Sequence, residues 1–164
     1  MKRIYHNVIL LVLCFCALAT IKSAYSNELY KIEPGWRVGP VIITMTQRDV
    51  EKIYGKGKIY VIPDIDKNIN LKLLQYPSMG LNYIFKNGQM EEIEINYPNF
   101  KVNNVVCVGS DVNTVEEVIG NNYIRENYQH SYEAKLPDYK MIYSGIIFYV
   151  KNKRVVKITV KRVK

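Results

Sequence analysis

Cysteine and histidine are the side chains best suited to nucleophilic or metal chemistry, and beyond residue 26 the chain has one of each, Cys107 and His130. A reactive thiolate needs a neighbouring cation or base to lower its pKa. Cys107 instead sits in Val105-Val106-Cys107-Val108, which reads as a strand carrying a small, inert residue. One histidine and one cysteine are too few for the usual transition-metal ligand set. Asp64-Ile65-Asp66-Lys67-Asn68-Ile69-Asn70 sets oxygens at alternate positions, as a calcium loop does. Ile69, however, stands where that loop needs its turn glycine, and Gln75 where it needs a bidentate glutamate. Gly55-Lys56-Gly57-Lys58 follows a helical pattern where a phosphate-binding loop precedes one, so it reads as a helix end and a turn. Glu91, Glu92 and Glu94 lie on a strand face with nothing apolar beside them to raise a carboxyl pKa. These residues imply no catalytic centre, no metal site and no cofactor; the expected activity is binding.

The elements that would position them are two hairpins. In Gly80 to Tyr97, Leu81, Tyr83 and Phe85 alternate with Asn82 and Ile84, Asn87-Gly88 supplies a tight turn, and Ile93, Ile95 and Tyr97 alternate with Glu92, Glu94 and Asn96. From Gly145 to Val160 the pattern returns: Ile146, Phe148 and Val150, a turn at Lys151-Asn152-Lys153, then Val156, Ile158 and Val160. Upstream of the first hairpin, Val41 to Thr44 reads as a strand. Thr46 then fits a helix N-cap with Asp49 three residues on, Val50, Ile53 and Tyr54 form an apolar stripe, and Gly55 ends the helix.

A shift of 65 positions lays Val41 on Val106, Val50 on Val115, Glu51 on Glu116, Gly55 on Gly120, Gly80 on Gly145 and Asn87 on Asn152. The matches fall on caps, a turn and core positions, which predicts an internal duplication. The fold class expected is α+β: two tandem repeats, each a short helix packed on an antiparallel sheet built around a β-hairpin. Residues 27–40 form an N-terminal arm, 41–97 the first repeat, 98–104 a linker and 105–164 the second repeat. Between helix and hairpin, Ile59-Tyr60-Val61-Ile62 reads as a strand followed by a polar turn. Its counterpart around His130 reads as an irregular insert with Tyr123, Tyr128, Tyr132 and Tyr139.

Residues 1–26 read as a secretory signal peptide: Lys2 and Arg3, an apolar run from Val8 to Ala19, and small residues before a cut after Ser26, with Ala19 as a second possible cut and a retained anchor as the alternative. The expected location is periplasmic or secreted, with no permanent membrane span after cleavage. Residues 27–150 carry 13 basic and 15 acidic side chains, whereas the last fourteen residues carry seven basic and no acidic ones. An exported basic tail argues against nucleic acid and for a protein or anionic envelope component as partner. The competing and favoured reading has those lysines protecting an open edge of the sheet.

Thr44-Met45-Thr46, Val50 and Gly55, followed by an aromatic-rich hairpin with an Asn-Gly turn, resemble the small outer-membrane lipoproteins of the BamE/SmpA type. Gly109-Ser110-Asp111, Val115 and Gly120 repeat the motif more loosely, and the tandem pair, over residues 39 to 160, resembles the β-lactamase-inhibitor-protein fold. The resemblance implies helices layered on a sheet, used for protein binding and without a catalytic centre. The lipid-modified cysteine of the first group and the disulfides of the second have no counterpart here, so no specific partner is carried over.

If the helices cover Leu81, Tyr83 and Phe85, the opposite sheet face carries Ile84, Ile147, Tyr149, Lys157 and Lys161, which become the expected partner-binding residues. The second reading is a small hydrolase or ligand-binding protein using the tyrosine-rich insert around His130, with Glu126 or Glu133 as its carboxylate.

Overall fold

The computed structural model describes residues 28–64, 69–128 and 136–163, which form a mixed α+β, mostly β, architecture with two helices and two sheets. The signal-peptide stretch, Asp66 and His130 lie outside the described residues. The N-terminal segment contributes β1 (Lys31–Glu33), β2 (Arg37–Val38) and β3 (Val41–Ile42), and these join β8 (Lys101–Val102) in a small sheet of order β3-β2-β1-β8. The expected arm and linker are thus paired to each other: Lys31 and Ile32 lie beside Lys101 and Val102 in parallel, and Phe100 is buried. The arm also reaches the second half of the chain, where the Gly35 amide donates to the Gly145 carbonyl at 2.9 Å.

The large sheet has eight strands: β4 (Lys58–Asp64), β5 (Ile69–Tyr76), β6 (Leu81–Lys86) and β7 (Gln89–Ile95), then β9 (Ile124–Asn127), β10 (Tyr139–Tyr143), β11 (Ile146–Lys151) and β12 (Arg154–Lys161). Their order is β4-β5-β6-β7-β12-β11-β10-β9, so two four-stranded meanders meet at their last strands. This corrects the edge-protection reading of the C-terminal lysines: β12 lies in the middle of the sheet, between β7 and β11. The residues following Tyr123 are not wholly irregular either, since β9 and β10 pair there.

Helix α1 (Gln47–Tyr54) is started by Thr46, whose hydroxyl accepts from the Asp49 amide while the Asp49 carboxylate accepts from the Thr46 amide, and Gly55 ends it. Val50 is buried, but Ile53, expected in the buried stripe, is exposed. Helix α2 (Val112–Ile119) starts at Asp111, buries Val115 and ends at Gly120. Both helices and the small sheet share one core with a single face of the large sheet: Leu74, Leu81, Tyr83, Phe85, Ile93 and Ile95 on one side, Met141, Ile146, Phe148, Ile158 and Val160 on the other. Each hairpin carries a register shift, between Ile84 and Phe85 and between Tyr149 and Val150. A bulge reverses the side-chain alternation beyond it. Met90 and Val155 therefore enter the core, and Val156, expected inside, is exposed.

The strand expected over Val105–Val108 is instead a turn with one bridge, Val102 to Val106. Cys107 is half-buried in it, its amide donating to the Ser110 hydroxyl at 3.0 Å.

Candidate functional site

On the face away from the core, the pairing registers bring the expected residues onto adjacent strands. Ile84 lies between Leu73 on β5 and Glu92 on β7, Ile147 between Ile142 on β10 and Thr159 on β12, and Tyr149 between Lys140 on β10 and Lys157 on β12. Glu92 is opposite Lys161, and Glu94 is opposite Thr159. All five expected residues therefore share one surface, although Ile84 is separated from the Ile147–Tyr149 pair by the charged strands β7 and β12.

Exposure divides them. Ile84 is half-buried, while Ile147 and Tyr149 retain only 7% and 9% of their surface, apart from the main core. The Lys157 and Lys140 ammonium groups lie 4.2 and 6.0 Å from the centre of the Tyr149 ring, so their aliphatic stems shield it and their charges face its π-cloud.

Neither C-terminal lysine on this face is a free cation. Lys157 donates to the Glu94 carboxylate at 2.7 Å, Lys161 stands 2.9 Å from Glu92, and Asn82 donates to the second Glu94 oxygen at 3.1 Å. Burial disfavours the Lys157 charge, but the hydrogen bond and the charge of Glu94 outweigh it, holding the ammonium pKa above its ordinary value. The centre of the face is thus a balanced set of two lysines and two glutamates, flanked by aliphatic residues on both sides. Thr159 is fully buried beside them, and its hydroxyl has no hydrogen-bond partner among the described residues.

Two contributors escaped sequence reasoning. Ile124 on β9 is 67% exposed and continues the Ile142–Ile147 row outward. Tyr60 on β4 is 49% exposed and extends the Leu73–Ile84 row at the other end. The Ile-Arg-Glu-Asn run of β9 carries no alternation of apolar type, so nothing local marks it as a strand.

Of the alternative constellation, His130 and Glu133 lie outside the described residues; Glu126 stands 3.4 Å from Lys140. Tyr123 donates to Glu116 at 2.7 Å, on the helix side of the sheet, and Arg125 lies 3.8 Å from the centre of the Tyr139 ring. No helix of the described residues is long and apolar enough to cross a membrane.

No protein-family model and no curated protein matches the chain. Among solved structures, a cysteine-rich secretory protein from Staphylococcus aureus subsp. aureus Mu50 is similar at a TM-score of 0.49 and 13% identity, over 84% of this chain and 48% of that one. The chain therefore spans about half the length of that protein.

Proposed function

We propose that the chain is an exported, non-enzymatic protein-binding module of the cell envelope or secreted fraction, built of two tandem BamE/SmpA-like repeats in the manner of the β-lactamase-inhibitor-protein fold. The repeat reading is supported by features spaced 65 residues apart: N-caps Thr46 and Asp111, positive-φ glycines Gly55 and Gly120 and Gly80 and Gly145, and bulges after Ile84 and Tyr149. A duplicated unit would place its own hairpin beside its copy, which fits the junction of β7 with β12.

The observation that carries the binding reading is the face opposite the core. Half-buried Leu73, Ile84 and Ile142 and exposed Ile124 flank a neutralised Lys–Glu centre. The half-exposed aliphatic rows supply apolar area that a protein partner can bury. With the lysines paired to glutamates, a protein partner fits this face better than a purely anionic one.

The test is capture of partners from the native envelope by the tagged full chain, repeated with Ile84→Arg and Ile124→Arg, both of which leave the core untouched. The reading expects a partner captured by the wild type and lost with either variant. Equal capture by all three would overturn it.

A further inference from the structure

We propose that the β4 edge of the large sheet is a second binding site, which takes an extended acidic segment of a partner protein as an added antiparallel strand. The inference goes beyond the far-face reading and shares only Tyr60 with it.

The outer side of β4 has no neighbouring strand among the described residues, and its middle is apolar and open: Ile59, Tyr60 and Val61 are 46%, 49% and 60% exposed. The direction of its free backbone groups follows from the ladder. The Asn96 amide donates to the Gly80 carbonyl, so even-numbered residues of β6 bond to β7 and odd-numbered ones to β5. Carried through the β5 registers, the alternation turns the amides and carbonyls of Ile59 and Val61 outward. Pro63, which has no amide hydrogen, falls in the same outward set, where its loss leaves the sheet intact. A strand template thus stands unpaired over its central residues.

The surroundings select the charge of the occupant. Val61 lines a cleft of about 900 Å³ that runs between the first turn of α1 and the β6–β7 turn, floored by Phe85 and bordered by Arg48, Lys72 and Glu51. Arg48 and Lys72 line the cleft and Lys56 and Lys58 lead into β4, none of them with an ion-pair partner among the described residues, so they outnumber the one cleft carboxylate, Glu51. The excess cations around an exposed edge favour carboxylates alternating with aliphatic residues. They disfavour a second copy of the chain, which would set one cationic cleft against another.

The test uses the full chain and fluorescein-labelled eight-residue peptides of alternating valine with glutamate, or of valine with lysine, read by anisotropy. The acidic peptide is expected to bind, to weaken as salt rises, and to slow hydrogen exchange at the Ile59 and Val61 amides. Val61→Pro, which removes one outward amide, and the surface double variant Arg48→Glu with Lys72→Glu should each weaken it about tenfold. Ile84→Arg and Ile124→Arg should leave it unchanged, so failure here is separable from failure of the far-face reading. Equal binding of the acidic and basic peptides would overturn the proposal, as would undiminished binding to a folded Val61→Pro chain. A dimer of the wild type that Val61→Pro abolishes would also overturn it, in favour of a second copy.

Discussion

The Tyr76 hydroxyl donates to the Gly55 carbonyl at 2.7 Å, fastening the end of α1 to β5, and Tyr143 does the same for Gly120 and α2 from β10. A terminal helix carbonyl has no partner within its own helix, so each tyrosine satisfies one. Burial is the main reason the Tyr143 phenol is pushed up to about 12, so it stays a donor across the physiological range. Tyr76→Phe and Tyr143→Phe should each cost about 1 kcal/mol, lowering Tm by roughly 2–4 °C in thermal melts.

The two hairpin turns differ in strain. Asn87 and Gly88 occupy φ 51° and 81°, while Asn152 and Lys153 occupy 50° and 61°. A side chain at left-handed φ costs roughly 1–2 kcal/mol, and glycine avoids that cost. Lys153→Gly should stabilise the fold by about 1 kcal/mol in urea titrations, and Gly88→Ala, which adds a Cβ in open space, should destabilise it by a similar amount through backbone strain alone.

Lys157 and Glu94 are 63 residues apart in the chain and part-buried where they meet. A double-mutant cycle with Lys157→Met and Glu94→Gln should give a coupling of about 1 kcal/mol. Because the folded ammonium pKa is raised, the stabilisation is complete below the unfolded lysine value near 10.5 and is lost as pH rises through the folded value. Melts taken up to strongly alkaline pH should therefore show a late loss of stability in the wild type that Lys157→Met lacks.

Asp49 titrates at the other end of the scale. The Thr46 hydroxyl, then Lys52, holds its carboxyl down at about 2, from 3.8. Its contribution to the start of α1 is present above the unfolded value and fades as pH falls towards 2. Asp49→Ala should lower Tm near neutral pH, and the gap from wild type should close in melts below about pH 2.

Local chemistry was the legible part of this fold. Thr46 and Asp49, Asn87-Gly88, and the alternation of Leu81, Tyr83 and Phe85 act within a few residues, so the first helix and both hairpins are legible directly, and the second helix only through its 65-residue offset from the first. β5 was hidden because Leu71, Leu73 and Leu74 put apolar side chains on both of its faces. The interior place of Val155 was hidden because the bulge at Tyr149 depends on how two strands pair. Period-2 alternation fixes which positions share a side of the sheet, and this is why Ile84, Ile147, Tyr149, Lys157 and Lys161 fall on one surface. Their charge state was not legible, because the Glu92 and Glu94 partners of the terminal lysines come from β7, and nothing in either strand alone announces that pairing.

Photo-crosslinking in the native cell tests the proposed binding face most directly, with a photoreactive residue placed at Ile84, at Ile124 or, on the helix side, at Lys52. The account predicts adducts to the same protein from Ile84 and Ile124 and none from Lys52. Adducts from Lys52 with none from the sheet face would contradict it.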